Sequence, residues 1–506
     1  GGSLPNARIL RTKLIQSKRG LDDLRYWTLL ISWTQFVSHD TGHSVPRKDK
    51  LDCCAQGYAS DLNTCMPIEI LGDPFYTNHS VNYMNMVRGQ ITDGLNCPLS
   101  PVQQVIDITH YMDASPIYGS TRKIAEKLRL FKGGLLKAQH NSAGKEFPPN
   151  YGQPKSKCDI QPDEPAVCYF TGDSRGNQNS FLTPLQVLLL RLHNIIAREF
   201  GKINVHWDDE RLYQEARKCV IGIYQWISYA EMLPTLIGDK IIKEHELDSN
   251  GKRDVYKDYV NPATLNEFQT AAYRALHGIV PGVVWMIAKT GRSAEIDMIK
   301  WMDRPSIVQE YFDHMLEGLQ TQFIQPQNDG WEDFGLNNKL KKSNPPFKSD
   351  PYGDDLTTIG IQRQRDYGMP SYNAFRKYSG YPSVKTIDEL SDLIAPEHIK
   401  HLKAGYKHVD DIDLIVGGYL ETPLLGSLFG PTFTYVLADQ FYRWKFGDRN
   451  FFSFLGQPWS FTEAQYQEII KTTTGWLFCE AGDAMEWVHI NNINNIIPGN
   501  QLIVPC

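Results

Sequence analysis

Trp33-Thr34-Gln35-Phe36-Val37-Ser38-His39-Asp40 decides how the chain is read, because it runs an apolar segment straight into a polar cluster. Leu24, Trp27, Leu30 and Trp33 recur at helical spacing, so the sequence predicts an amphipathic helix over 21–38 with one face in the core. Continued to its end, that helix sets Gln35 and His39 one turn apart on one side, with an acidic residue directly after. Amide, imidazole and carboxylate gathered at the end of a buried helix suit proton transfer beside a metal site. Taken alone, a His on a core helix is more simply read as satisfied by local hydrogen bonds.

At 506 residues the chain has ample material for a large core, as one large domain or as two or three. Hydrophobic residues at 41% and charged residues at 22% are those of a soluble globular protein and exclude disorder. The net charge of -6 gives no electrostatic reason to bind nucleic acid or an anionic membrane. No apolar run is long enough to span a bilayer. Gly1-Gly2-Ser3 reads as an expression remnant, so the mature chain is expected to begin near Leu4 with any leader removed.

Helical periodicity dominates, with helices predicted over 21–38, 101–111, 182–200, 208–236, 262–277, 304–322, 396–407, 427–443 and 462–475. Strands should be few and short. The Gly/Pro/Asn-rich stretches 141–181 and 325–355 read as long loops draped over a helical core. Of the nine cysteines, eight lie in loop-like sequence, which suggests disulfides and an oxidising compartment. Cys219 sits in an apolar helical run and reads as a free, buried thiol; no C-x-x-C pair argues for zinc. Asn78-His79-Ser80 is a glycosylation sequon.

Three further stretches carry chemistry. In Thr109-His110-Tyr111-Met112-Asp113-Ala114-Ser115, a hard cation such as calcium would find a carboxylate, hydroxyls and backbone carbonyls, with Asp40 available from the first helix. A capped turn explains the same residues equally well. Arg175, in Gly172-Asp173-Ser174-Arg175-Gly176-Asn177-Gln178-Asn179 ahead of a helix, is placed to stabilise negative charge on a ligand, or is a solvated surface Arg. A helix predicted to open at Asn261-Pro262 ends at Arg274 and His277, three apart on one face; the His is a metal ligand or a dipole-complementing C-terminal residue.

Together these segments resemble the animal haem peroxidases of the peroxidase–cyclooxygenase superfamily. The resemblance covers Leu4 to Cys506 and rests, in order, on WTQFVSHD, THYMDASPIYGS, GDSRGNQN followed by LLLRLHN, YRALHG, IQRQRDYGMPSYNAFR, DDIDLIVGG and FGDR. The wording of TGDSRGNQNSFLTPLQVLLLRLHN is nearest the insect branch, the chorion-type and salivary peroxidases. It implies that His39 is the distal acid/base for hydrogen peroxide, that Arg175 stabilises charge as the O–O bond breaks, and that Gln35 orders water or a halide beside them. His277 matches the proximal haem-iron ligand, and Arg274 and Arg363 match positions that contact haem propionates or line the pocket. Asp40, Thr109, Tyr111 through its carbonyl, Asp113 and Ser115 match the calcium site, which would tether the helix carrying His39. An imidazole is the side chain that accepts and returns a proton near neutral pH without a large pKa shift.

Departures from the family pattern carry their own expectations. The positions that form haem esters in mammalian members hold Ser38 and Gln178, and Asn179 replaces a linking Met, so haem b is expected to bind non-covalently and chloride oxidation to be weak. Gly360, just ahead of Ile361-Gln362-Arg363, stands where the family has an Asn that bonds the proximal His. Cyclooxygenase chemistry is disfavoured, because its radical Tyr position is Arg274 and Tyr273 would point elsewhere on a helix. The resemblance pairs Cys158 with Cys168 and Cys479 with Cys506, and suggests Cys53–Cys65 and Cys54–Cys97, leaving Cys219 reduced.

The reading is a mainly α, large single-domain helical haem-peroxidase fold over 4–506, secreted, with haem b and Ca2+. It would reduce hydrogen peroxide and oxidise small donors such as phenols, catechols or protein tyrosines. A catechol oxidase or gas-binding haem protein, motivated by Gly360, is one alternative. A non-enzymatic matrix or adhesion protein on the same fold is another.

Overall fold

The apolar run ahead of His39 does not form one helix. Residues 23–27 of the expected 21–38 helix are a strand, Asp23–Trp27, and helix begins only at Leu29. The strand pairs antiparallel with Phe323–Ile324, and Trp27 stacks on Phe323 at 4.3 Å. Aromatic cross-strand contact of this kind outweighs the weak helical pattern of Leu24, Trp27 and Leu30.

The structure is a computed structural model that describes residues 4–18, 23–49, 51–55, 61–70, 72–92, 102–152, 157–248, 253, 256–291, 293–324, 331–333, 353–490, 493 and 503–506. Its first helices are α1 (Ala7–Leu14), α2 (Leu29–Thr41), α3 (Ser115–Tyr118), α4 (Arg122–Leu128), α5 (Leu182–Ile203), α6 (Asp209–Ile227) and α7 (Leu233–Glu244). Further helices cover Leu356–Asp366, Pro396–Gly405, Pro431–Gly447 and Thr474–Ala481. Strands among the described residues pair only two at a time, so no sheet organises the core. The fold class is mainly α, as the sequence predicts.

Capping explains several boundaries. The Asp208 side chain accepts from Arg211 N at the start of α6, and a capping box of Thr462 and Gln465 opens the helix Glu463–Ile469. A π-turn, Ser228–Met232, joins α6 to α7, so the expected 208–236 helix continues beyond its predicted end. The predicted 304–322 segment divides into Ser306–Glu310 and Phe312–Leu319 at Tyr311.

One predicted helix fails, and the predicted 262–277 helix begins late, its helical turns running only from residue 266. Residues 102–111 hold isolated antiparallel bridges, Gln104 to Ile91 and Ile106 to Ser44, in place of the 101–111 helix. The segment after Asn261-Pro262 is irregular as far as Leu265. Asn261 accepts only from Ala263 N, while the amides of Thr264 and Leu265 donate to His110 Nδ1 and Gln440 Oε1. Tertiary partners thus take the donors that a helix start would have used. The described residues of 141–181 are loop with one short strand pairing Gln139–His140 to Glu146–Phe147, while most of 325–355 lies outside the described residues.

One continuous apolar core runs from Ala7 to Ile493, with α2 packed against α5, α3 and the π-turn. Trp33, fully buried, donates from Nε1 to Ser228 Oγ at 2.8 Å and fixes α2 to that π-turn. The disulfides Cys53–Cys65, Cys158–Cys168 and Cys479–Cys506 form as expected. The Cys54–Cys97 pairing falls on Cys97, outside the described residues. Cys219 carries no disulfide; it is half-buried, and burial pushes its thiol up to about 12. Among the described residues no helix is long and apolar enough to cross a membrane.

Candidate active site

α2 delivers its polar end to a cavity of about 360 Å³, within the usual size of a small-molecule or cofactor site. Gln35, Ser38 and His39 line one side; Arg274 and His277, from the 3-10 turn Arg274–Ile279, also line it, with Arg175, Gln178 and Asn179 from the loop before α5. The structure therefore brings together every residue expected around the haem except Arg363. Arg363 lies behind Arg274, where its charge is felt, and donates to Val87 O and Asp366 Oδ2.

Arg175 holds the end of α2. Its guanidinium forks onto the Asp173 carboxylate at 2.8 and 2.7 Å and donates to the carbonyls of His39 and Gly42 at 3.1 and 3.0 Å. Those carbonyls would otherwise be unsatisfied at the helix C-terminus. Although burial opposes ionisation of Asp173, the Arg175 fork holds its carboxyl at about 2. His39 is pushed well below the ordinary imidazole range by burial and then by the Arg175 charge. Its buried Nδ1 has no hydrogen-bond partner among the described residues.

An amide chain lies alongside. Gln35 Nε2 donates to Gln178 Oε1, and Asn179 Nδ2 donates to Gln35 Oε1, both at 3.0 Å. Gln178 and Asn179, two of the three positions for which the sequence resemblance implies haem links in relatives, are thus engaged with each other through Gln35.

Burial and then the neighbouring Arg274 lower His277 to about 3, so its imidazole is neutral. Its ring makes no hydrogen bond among the described residues, and Gly360 offers no side chain; a Cβ added there would touch only Ile415 Cδ1, at 3.5 Å. Burial, with Arg363 adding to it, lowers Arg274 to about 10, and Arg274 has no acidic partner among the described residues. Tyr273 also lines the cavity, contrary to the expectation that it points elsewhere. The backbone is a π-turn over Phe268–Ala272 followed by a 3-10 turn, so α-helical angular spacing does not apply.

The expected calcium ligands form a separate cluster where the α2 end meets the start of α3. Asp40 accepts from Ala114 N, Ser115 N and Ser115 Oγ, while Thr109 Oγ1 donates to Asp113 Oδ1 and to Tyr111 O. Burial and the mutual repulsion of the pair raise Asp40, and burial raises Asp113. Gly172 seats the Arg175 loop on this cluster: its amide donates to Pro116 O at 2.7 Å, and a Cβ would lie 2.1 Å from Ser115 O.

The family described as animal haem peroxidase matches residues 1–493. The chain belongs to the animal haem peroxidase family. This animal haem peroxidase is 32% identical over 525 residues to a peroxidase of Drosophila melanogaster, covering 100% of this chain and 75% of that protein. It is 33% identical to the chorion peroxidase of Aedes aegypti and 35% to that of Drosophila melanogaster, spanning 62% and 60% of their lengths and 96% and 95% of its own. Its fold superposes on peroxidase A from Dictyostelium discoideum with a TM-score of 0.81 at 26% identity, covering 98% of this chain and 92% of that one. A fatty acid alpha-dioxygenase from Oryza sativa shares the fold alone, with a TM-score of 0.68 at 18% identity over 95% and 77% of the two chains.

The cavity of this haem peroxidase fits an iron porphyrin on its own chemistry. His277 offers a neutral imidazole and Arg274 a half-buried cation, the one with no competing hydrogen bond and the other with no acid beside it among the described residues. Sequence reasoning missed other lining residues, among them His43, Gln269, Met298 and Met302. Gln269 packs on Gly42, where a Cβ would sit 3.1 Å from its Nε2. The Met and Gln positions carry no sequence signal, whereas His43 lies four residues after His39.

Proposed function

We propose that residues 4–506 form one secreted haem peroxidase domain that reduces hydrogen peroxide and oxidises small donors, such as phenols, catechols or protein tyrosines, by one-electron steps. One observation carries this reading: His39 and His277 line a single cavity that also holds a half-buried Arg274 with no acid beside it among the described residues. Haem, when bound, supplies the redox chemistry.

His277 is the residue to hold the iron, and Arg274 to neutralise a propionate. His39, kept neutral by burial and Arg175, accepts the peroxide proton and returns it to the departing oxygen. Arg175 keeps a fixed charge beside it and, through the His39 carbonyl, fixes where that imidazole stands. Ser38 has no carboxylate, and Gln178 is an amide bonded to Gln35, so haem is held without ester links. Asp40, Thr109, Tyr111, Asp113 and Ser115 hold Ca2+, whose charge answers one buried and one half-buried carboxylate. The disulfides and the exposed Asn78 sequon support secretion.

The test is an absorption spectrum of the purified protein before and after hydrogen peroxide, then acid extraction, which should release the haem. His39→Ala should keep the haem band and slow the peroxide-driven spectral change on the order of 10²–10⁴-fold. His277→Ala should lose the axial ligand and its band. Stopped-flow spectra showing the reverse pattern would remove the assignment.

A further inference from the structure

The mouth of the cavity carries a second histidine that the peroxide chemistry does not use. His43 lines the same cavity as His39, and its Nδ1 lies 2.6 Å from Asp107 Oδ1. Backbone register fixes the pair. Ser44 and Ile106 form an antiparallel bridge, which sets His43 and Asp107 directly opposite each other on the neighbouring rung. Ser44 is held in turn, accepting from the Tyr367 hydroxyl at 2.8 Å.

The direction of this contact follows from charge. A carboxylate oxygen only accepts hydrogen bonds, so in this 2.6 Å contact His43 Nδ1 is the donor. The acceptor position of the imidazole is then Nε2, which has no hydrogen-bond partner among the described residues. Other charged or titratable groups close by are His39 and Arg175, and Arg175 is already neutralised by Asp173. His43 is only partly exposed, whereas Asp107 stands largely in solvent. A base with its lone pair toward a cavity and its other nitrogen oriented by a carboxylate has the arrangement general-base catalysis requires.

We propose that His43, oriented by Asp107, forms a phenol-binding subsite at the cavity mouth and takes the proton when a phenolic donor is oxidised. This rests on the haem-peroxidase reading above. The donor hydroxyl hydrogen-bonds to His43 Nε2. Its O–H bond breaks as the proton moves to Nε2 and the electron passes to the haem that peroxide has oxidised, so a neutral phenoxyl radical leaves. The proton on Nε2 then returns to solvent.

The experiment compares the haem-loaded wild-type protein with His43→Phe, His43→Gln and Asp107→Asn. Two donors are used: phenol, which must lose a proton, and ferrocyanide, which gives an electron only. In His43→Phe the ratio of phenol to ferrocyanide oxidation should fall on the order of 10²–10⁴-fold. Spectrophotometric titration of the resting protein supplies a readout independent of turnover. Phenol should bind roughly 3- to 10-fold more weakly to His43→Phe, while anisole, which has no hydroxyl to donate, should not distinguish the two proteins. His43→Gln should recover phenol binding but not the ratio, since an amide accepts a hydrogen bond and not a proton. Asp107→Asn should lower the ratio less than His43→Phe.

Equal losses with both donors, or equal losses of phenol and anisole binding, overturn the subsite while leaving the peroxidase reading intact. Wild-type protein that oxidises neither donor with peroxide overturns the peroxidase reading, and the subsite with it.

Discussion

At the scale of single residues, Arg274 is where the cavity is least balanced. A half-buried guanidinium beside Arg363, with no acid among the described residues, is destabilising in the haem-free protein and becomes favourable only when an anion arrives. Arg274→Leu should therefore act in opposite directions on two measurements. Urea unfolding of the haem-free protein should show it more stable by about 1–3 kcal/mol, less what is lost with the Arg274 Nε bond to Gln269 O. Haem titration should show roughly 10- to 100-fold weaker affinity, the worth of one charge-assisted contact. A loss of stability together with unchanged haem affinity would show that Arg274 is answered by something other than a propionate. The residues of the cavity were largely legible in the sequence, because His39, Gln35, Arg175 and His277 each sit in a long motif whose order is itself informative. Asp107 was not legible. It becomes a partner of His43 only through the register of two extended segments, and one of those had been read as a helix.

At the scale of elements, the end of α2 is fixed from several directions. Arg175 accepts the role of its C-terminal cap, Thr264 Oγ1 donates to Thr41 O, and Asp40 gathers the amides that open α3. Calcium at Asp40 and Asp113 would add to these contacts and would position His39 one residue away. Raising calcium from trace levels to about one hundred times its dissociation constant should stabilise the protein by about 2.7 kcal/mol. Calorimetry with chelator and with added calcium measures this, and Asp113→Asn should abolish most of the difference. A melting temperature indifferent to chelator in wild-type protein would mean that the paired carboxylates share a proton and bind no metal. Helices with a continuous apolar face, such as α5 and α6, were legible because periodicity and caps agree. The short segments at 23–27, 102–111 and 261–265 were not, since their backbone donors are satisfied by Phe323–Ile324, by bridges, and by His110 and Gln440. Those partners lie far away in sequence, and local pattern contains no record of them.

At the scale of the whole molecule, two buried acids join parts of the chain that are distant in sequence. Glu231, in the π-turn after α6, accepts from Thr474 N and Oγ1 at 2.9 and 2.7 Å and so holds the start of the helix Thr474–Ala481. Glu421 accepts from Tyr372 Oη and from Thr432 N and Oγ1, tying the helix Tyr372–Tyr378 to the helix Pro431–Gly447. Burial raises both carboxyls to about 7 from an ordinary 4.5. A raised folded pKa means that the folded chain keeps a proton the unfolded chain would release. The stability each acid contributes is therefore complete below 4.5 and is lost as the pH rises through about 7. The amount is about 3 kcal/mol per site. His193, lowered to about 4 chiefly by burial, has the opposite sign, contributing stability above its ordinary 6.5 that disappears as the pH falls through 4. Because these slopes oppose one another, the useful quantity is the difference between variant and wild type. Glu231→Gln and Glu421→Gln should each be less stable than wild type at about pH 5, where an amide NH2 faces donors that the acid accepted. By about pH 8 the gap should have narrowed, since the variants have no proton to release. Urea midpoints for the three proteins across that range decide the matter, and parallel curves would show that both acids are ionised throughout and that the donors around them suffice to hold the charge.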